Sequence, residues 1–418
     1  MERIYPVITM KTPLTFKSLA ALWTVLETTR QRYRPFLENL ATRSDLNYLF
    51  VEMLGNLTSS HVYVSGGDIP PARRVNVGLL GADYVVDQGR YRISRVYTGE
   101  SWNPDLQAPL TSPGQSVVAG DYLLAVNGRE ARPSADVYSY FAETVGKPVV
   151  LTVGPRADGS QSRQVTVVPI ADELPLRNAA WIEHNRATVD ALTGGRVAYV
   201  YLPDTFDQGY RAFNRYYFAQ IDKQAAIIDG RFNGGGDYAD YIIDYLRRPL
   251  MGHMHMRNGS DTTLPFEGIF GPKVMLTNEM AGSGGDFLPY TFREAGIGPL
   301  VGTRTWGGAN GFASTPDDLL DGGFVSTPDL ASYDLRGQWS IENRGVVPDF
   351  DVEADPKALR AGHDPQLEKA VEVVLDLLKQ HPAPAPGVHP PFANYHSGIP
   401  ERRDRLHRQQ SSNGVATI

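Results

Sequence analysis

The chain has no cysteine. Disulfide scaffolds, thiolate zinc sites and cysteine nucleophiles are excluded by that single absence, and the composition is compatible with any redox compartment. Long hydrophobic runs are missing as well. No segment approaches the roughly 18 uninterrupted apolar residues of a membrane span. The stretch from Met1 to Pro13 lacks the continuous apolar core of a secretory signal. The expectation is a cytoplasmic protein, or an extracytoplasmic one whose leader is missing. An excess of positive charge is also lacking. Lys and Arg total 40 against 47 Asp and Glu, and a net charge of −7 leaves no global basic field to hold nucleic acid. Neither a nucleic acid nor a membrane is expected as a partner. What is plentiful is glycine (41) and proline (30), which predicts many turns between short elements. With 418 residues, 42% of them hydrophobic and 21% charged, the chain reads as globular, with about two to four domains.

Residues 14–58 read as helical. Phe16, Leu19, Ala20, Trp23 and Leu26 recur at the spacing that places them on one helix face. A second helix is marked by Ser44 as cap, Asp45 near its N-terminal dipole, the stripe Leu46, Leu49, Phe50, Met53 and Leu54, and Gly55 as its stop. The β-branched alternation of Leu57 to Val64 then predicts a strand, with Ser60 and His61 where helix hands over to strand.

From about residue 75 the pattern turns to short strands at Arg92–Tyr97, Asp121–Val126, Val149–Val153 and Gln164–Val168, with Asn127-Gly128 as a type I′ hairpin signal. Near the start of this region, Gly78-Leu79-Leu80-Gly81 is a turn whose backbone N–H groups could grip a peptide carboxylate beside a strand edge. Turn and hairpin together look like a PDZ domain; the alternative is an unrelated small β-domain. Residues 175–380 alternate strand and helix. Val197–Leu202, Ala225–Asp229 and Lys273–Thr277 are strands, each of the last two running into a glycine loop, and an amphipathic helix starts at Asp364-Pro365. Repeated βα units predict an α/β core. Beyond His381 the chain is Pro-rich and then charged, and 382–418 reads as a flexible tail or a docking arm.

Chemistry concentrates at the strand ends. Gly282-Ser283-Gly284-Gly285 exposes a hydroxyl at a strand-to-helix junction, with helix-start amides beside it, as acyl transfer requires. The alternative is a turn whose serine caps the next helix. Asn233-Gly234-Gly235-Gly236 could donate a second N–H to the same oxyanion. It lacks the Lys-Ser/Thr of a phosphate loop. His61 has the right base strength for a serine hydroxyl if another group holds its tautomer. Glu342 is the candidate carboxylate, although next to Arg344 it could equally be half of a surface ion pair. No metal or other cofactor is expected: His253 and His255 share a face but lack a third ligand.

Taken in order, Ser60-His61, the PDZ-like region, Arg231–Gly236, Asn278–Ser283, Gly302–Gly308, Glu342–Asp349 and Asp364–Ala370 resemble the C-terminal half of the tricorn proteases, within the tail-specific (C-terminal processing) serine peptidase family. The likeness covers about residues 15–380. It implies a crotonase-like (ClpP/crotonase) spiral of βα units carrying an inserted PDZ-like β-domain. The implied domains are an N-terminal helical part (1–74), the PDZ-like part (75–172), a catalytic core (173–381) and the tail (382–418). By motif it implies Ser283 as nucleophile, His61 as base, Ser60 as the link to Glu342, and oxyanion donors on Gly284 and on Gly234 or Gly235. Gly78, Leu79, Leu80 and Gly81 would bind peptide. The implied activity is that of a cytosolic, hexameric endopeptidase for peptides or unfolded chains, needing neither metal nor ATP. A non-catalytic peptide- or ligand-binding protein on the same fold is the second reading, and acyl-thioester chemistry a third.

Three departures from the family stand out. No counterpart is expected here of the β-propellers that precede this region in tricorn. Gly284 stands where the homologues carry Asp. The acid that tricorn's substrate pocket takes from a neighbouring subunit has no clear match, with Asp237, Asp240 and Asp244 as candidates.

Overall fold

The computed structural model describes residues 19–391, except Arg73, Ser101, Pro113, Asn258, Ser260, residues 312–317 and Ser340. The stripe from Phe16 to Trp23 and the tail beyond residue 391 lie outside the residues described in full. Helix α1 (Leu19–Tyr33) leads through a 3-10 turn to α2 (Arg43–Leu54). The cap of α2 is Thr42, not Ser44. The Thr42 hydroxyl accepts from the Asp45 N–H at 3.1 Å and the Asp45 carboxylate accepts from the Thr42 N–H at 2.8 Å. This reciprocal box satisfies two orphan donors at once, which Ser44, one turn position inside the helix, cannot do. Gly55 does not stop the helix in a left-handed conformation. A 3-10 turn continues through Leu57, and Thr58 takes the left-handed position, with φ 52°.

The strand expected over Leu57 to Val64 does not form; only β1 (Val64–Gly66) is extended. Thr58 and His61 both have positive φ, at 52° and 57°, which breaks the pleat that β-branched alternation suggested.

Strands β2 (Ala82–Asp87), β3 (Arg90–Val96), β4 (Tyr122–Val126), β5 (Arg129–Glu130), β6 (Val149–Gly154) and β7 (Arg163–Val167) form one antiparallel sheet in the order β2-β3-β4-β6-β7, with β5 paired to β4. Asn127 and Gly128 both have positive φ, as a type I′ turn demands. Ile93, Leu123, Leu151 and Val153 form this sheet's core with Phe141 from a 3-10 helix at Val137–Phe141.

Helix α3 (Leu174–Thr193) opens the α/β region. It continues with β8 (Val197–Tyr201), α4 (Asp207–Phe218), β9 (Ala225–Asp229) and α5 (Ala239–Leu246). A hairpin of β10 (Gly252–Met254) and β11 (Thr262–Leu264) follows, then β12 (Lys273–Thr277), α6 (Gly284–Glu294), β13 (Leu300–Gly302), β14 (Gly323–Val325), β15 (Phe350–Asp351), α7 (Pro356–Arg360) and α8 (Pro365–Gln380). Five of these strands make a parallel sheet in the order β15-β13-β12-β9-β8.

The sheet's inner strands are buried on both faces, and the period of two sorts their side chains. Ala226 and Ile228 of β9 meet Phe213, Ile242 and Leu288 on one side. Ala225 and Ile227 meet Val189, Val371 and Val374 on the other. Each fully buried side chain of this size is worth about 1.5–3 kcal/mol, so the α/β/α layering follows from the continuous apolar runs read in the sequence. Strand β1 pairs antiparallel with β14, Val64 opposite Val325, and this carries the Ser60-His61 segment to the core.

The described residues fall into two compact units. One holds the residues up to Pro249 with Glu267–Ala383; the other holds Leu250–Phe266 with the chain from Pro384 onward. The first contains everything discussed below. In the second, the His255 ring stacks on that of His389 at 4.3 Å. Residues 382–391 form no helix or strand. Among the described residues, no helix is long and apolar enough to cross a membrane, and no group of His, Asp and Glu is placed to hold a metal ion.

Candidate active site

Strands β9 and β12 are neighbours in the parallel sheet, so the two glycine loops leave the same sheet edge side by side. Ligand sites in parallel α/β sheets form at this carboxyl edge. Gly282 N–H donates to the Asn233 carbonyl at 3.2 Å and stitches the loops together. Ser283 closes the second loop as the residue before α6, with φ 58° and ψ −120°. That backbone is strained for a residue with a side chain, and lifts the hydroxyl clear of the turn. The strain is held from behind by Asp286, which is fully buried. One of its oxygens accepts from Ser283 N–H and Gly308 N–H, both at 3.0 Å. The other accepts from Gly307 N–H at 2.9 Å and from the Thr305 hydroxyl. Burial nevertheless pushes the Asp286 carboxyl above its ordinary range.

His61 Nε2 lies 3.0 Å from Ser283 Oγ, and His61 Nδ1 lies 3.0 Å from Ser60 Oγ. Ser60 Oγ in turn is 3.0 Å from Glu342 Oε2. The Glu342 carboxylate also accepts from the N–H groups of Ser60 (2.6 Å), Ala309 and Asn310 (2.7 Å each). It is therefore turned toward Ser60 and makes no ion pair with Arg344, the alternative left open by the sequence. A hydroxyl has one proton. With Ser60 donating to Glu342, its oxygen accepts from His61 Nδ1–H, which leaves Nε2 as the acceptor facing Ser283. Partial burial lowers the His61 pKa below the ordinary 6.5, and the charges of Glu342 and Asp286 oppose that shift. The irregular segment around His61 is pinned by side chains. Asn343 donates to the Thr58 carbonyl at 2.6 Å, Ser326 Oγ donates to the His61 carbonyl at 2.9 Å, and Asn310 donates to Ser59 Oγ at 3.0 Å.

The amides of the first glycine loop are arranged differently from the expectation. Gly234 N–H donates to the Pro203 carbonyl at 2.9 Å, and Gly235 N–H to Asn233 Oδ1 at 3.0 Å. Both are spent. Gly236 and Gly284 are the glycines whose N–H groups form no hydrogen bond with another described residue while both line the cavity at Ser283. That cavity, about 560 Å³, is walled by Tyr63, Phe206, Met280, Phe287, Trp306 and Leu330, with Asp237 as the one carboxylate on its lining among the described residues. Of the other two acids singled out in the sequence, Asp244 pairs with Arg247 at 2.7 Å and Asp240 stands exposed outside the cavity.

Gly284 is required by space. A Cβ there would stand 2.1 Å from Thr205 Oγ1 and 2.2 Å from the Gly236 carbonyl oxygen. The first glycine loop is anchored from below by Arg231. Its guanidinium is buried between Asp229 (2.7 Å) and Asp364 (2.8 Å), the N-cap of α8.

Three of the four amides of the PDZ-type turn, those of Gly78, Leu79 and Gly81, are already bonded. Gly78 N–H donates to the Phe141 carbonyl at 2.9 Å, Leu79 N–H to the Ile170 carbonyl at 2.8 Å, and Gly81 N–H to Glu173 Oε2 at 2.9 Å. Asp286, Asn310, Ser326 and Gly236 are the residues at the site that sequence reasoning did not assign. Asp286 left a signal, the Ser-x-x-Asp spacing of a capping box at Ser283, and Gly236 lay within the glycine loop already nominated for a donor.

Residues 78–172 match the family model of the tricorn protease PDZ domain, and residues 196–352 match that of peptidase family S41. The chain is 39% identical over 359 residues to tricorn protease homolog 1 of Streptomyces coelicolor, a match covering 85% of this chain and 33% of that protein. It is 32% identical over 358 residues to tricorn protease of Thermoplasma volcanium, with 86% and 34% covered. The crystal structure of the tricorn protease superposes with a TM-score of 0.78 at 29% identity, over 86% of this chain and 35% of that one. The chain thus spans about a third of the length of these relatives.

Proposed function

The chain carries a tricorn-type PDZ domain followed by a peptidase family S41 domain, and from that premise we propose that it is a serine endopeptidase acting on peptides or unfolded polypeptides through a Ser283–His61–Ser60–Glu342 relay. The observation that carries the reading is the unbroken file of contacts from Ser283 Oγ through both nitrogens of His61 to Ser60 and Glu342, each 3.0 Å. In this scheme Ser283 Oγ attacks the peptide carbonyl carbon while His61 Nε2 takes its proton. The negative oxygen that forms is met by the N–H groups of Gly284 and Gly236, aimed before the reaction begins. Collapse breaks the C–N bond, and the leaving amine takes the proton back from His61. Water then attacks the acyl-serine by the same proton path and frees the acid and Ser283. Ser60 and Glu342 hold the imidazole in the tautomer this requires. The apolar walls around Ser283 suit apolar side chains of a peptide. With this reading go a βα core of the crotonase type and a homo-oligomer, hexameric in the tricorn manner, which light scattering of the purified chain would measure.

The test is covalent labelling. A fluorophosphonate probe, followed by digestion and mass spectrometry, is expected to mark Ser283, and Ser283→Ala is expected to abolish both the label and peptide hydrolysis. A label on another residue, or hydrolysis by folded Ser283→Ala at the wild-type rate, overturns the assignment.

A further inference from the structure

The turn Gly78–Gly81 precedes β2 and carries the N–H groups that would receive a peptide carboxylate, yet a carboxylate is already there. Glu173, 7% exposed, places Oε2 on Gly81 N–H at 2.9 Å. Its other oxygen accepts from Arg177 Nε (2.9 Å) and Nη2 (2.6 Å). Arg177 also reaches the Tyr97 hydroxyl at 2.9 Å and Asp83 at 2.7 Å, both on the PDZ side. A backbone N–H and a guanidinium are the two donors with which a carboxylate receptor is built. Glu173 is the N-cap residue of α3, the helix that opens the α/β core, so the occupant arrives on the catalytic region's own first element.

The neighbouring groove is closed by contacts of the same unit. Gly78 N–H is bonded to the Phe141 carbonyl and Glu143 N–H to the Asn76 carbonyl (2.6 Å), which fastens the turn to the end of the Val137–Phe141 helix. The rings of Tyr84 on β2 and Tyr138 on that helix meet edge to face at 6.5 Å across the space between them. A second ion pair and ring contact join the same two regions. Arg215 of α4 pairs with Glu100 and lies over the Trp102 ring at 5.6 Å.

We propose that the Gly78–Gly81 turn is a carboxylate receptor filled by Glu173 as an internal ligand, so that this PDZ unit is a joint fixed on the α/β core and closed to the C-termini of other chains. The competition is unequal. A ligand on a short tether acts at an effective concentration on the order of millimolar, and an incoming C-terminus has to displace a buried, doubly bonded carboxylate to replace it. Release of Glu173 would leave Gly81 N–H and Arg177 as an open receptor for a free C-terminal carboxylate.

The experiment measures fluorescence anisotropy of a labelled peptide ending in an apolar residue with a free carboxylate, and of its amidated twin, against the full chain carrying Ser283→Ala so that the probe is not cut. With Glu173 present, no saturable binding of either peptide is expected up to about 1 mM. Glu173→Ala is expected to bind the free-acid peptide roughly tenfold or more tighter than the amide, the difference a charged hydrogen bond makes. Glu173→Gln keeps the side-chain volume and an acceptor for Gly81 N–H, so the fold is retained, and is expected to show the same discrimination more weakly. Carboxylate-selective binding by the chain with Glu173 intact, as tight as in the variants, overturns the proposal. So does the failure of the folded Glu173 variants to distinguish acid from amide.

Discussion

His61 Nε2 and Ser283 Oγ stand 3.0 Å apart across 222 residues of sequence. That meeting rests on Ser60 and Glu342, which face the far side of the imidazole. Ser60→Ala removes the oxygen that accepts from His61 Nδ1 while leaving the Glu342 bonds to Ala309 and Asn310 in place. The expected result is a fall in kcat on the order of a hundredfold with little change in KM and a melting temperature near that of the parent. The double variant with Ser283→Ala should lose nothing further, since groups acting as a unit are not additive. Steady-state kinetics on a fluorogenic peptide would measure both, and equal rates for Ser60→Ala and the parent would remove Ser60 from the relay.

Hydrolysis should depend on pH through His61. The base must be neutral, and burial lowers its pKa below 6.5. The acidic limb of kcat/KM is therefore expected below pH 6.5, activity rising with pH and flat above that value. The sign of the Glu342 effect is fixed: its charge raises the His61 pKa, so Glu342→Gln should move the limb to lower pH even as it slows the enzyme. A limb that moves upward in that variant would contradict the electrostatics of the site. The same burial makes stability rise with pH through this window, because the unfolded chain binds the proton more readily than the folded one.

Two glycines in the loops should respond oppositely to a methyl group. At Gly234 a Cβ meets nothing closer than the Pro203 carbonyl at 3.8 Å, and Gly234→Ala is expected to keep most of the activity. At Gly284 the same group runs into Thr205 Oγ1 and the Gly236 backbone at 2.1–2.6 Å. Gly284→Ala should lower stability by roughly 1–3 kcal/mol, as overpacking does, and should cost most of the activity by displacing a candidate oxyanion donor. Thermal melts and rates on the pair of variants would show it. A side chain of any size at this position does not fit without movement of the Gly236 loop.

Lys273, at the start of β12, is 6% exposed, and burial lowers its pKa to about 8 from 10.5. Below pH 8 the folded protein bears a buried ammonium whose one hydrogen bond goes to the Gly271 carbonyl at 3.1 Å. Lys273→Met is expected to stabilise the fold by roughly 1–3 kcal/mol at neutral pH, at ~1.4 kcal/mol per pKa unit. The electrostatic part of the gain should fade as pH rises from 8 to 10.5, where the folded lysine is neutral and the unfolded one still charged, and be gone above 10.5, where both are neutral. Chemical denaturation at pH 7 and pH 11 compares the two.

The parts of this molecule that the sequence exposed are those governed by local rules. The buried run Ala225–Asp229, the Asn127-Gly128 turn, and the Asp364-Pro365 start of α8 each follow from periodicity or capping. Ser283, His61 and Glu342 could be nominated from motifs, and the fold brings them together with Ser60 between His61 and Glu342. What was hidden depends on where distant backbone groups lie. Nothing in Asn233-Gly234-Gly235-Gly236 reveals that Pro203 and the Asn233 side chain consume two of its amides. The β-branched spelling of Leu57 to Val64 suggested a strand because the bonds from Asn343, Ser326 and Asn310 that hold it irregular come from about 250 or more residues away. Glu173 reads as an ordinary helix-start acid until Gly81 is seen beneath it.

The buried Arg231 cluster has a temporal meaning. Arg231 fixes the root of the first glycine loop, and one of its two carboxylate partners, Asp364, caps the last helix of the core. A chain emerging from the ribosome presents Ser60 and His61 early, Glu342 late, and Asp364 later still. Until that last helix docks, the guanidinium lacks one of its two carboxylate partners. The loop beside Ser283 is thus tied, through one guanidinium, to a carboxylate made 133 residues after it.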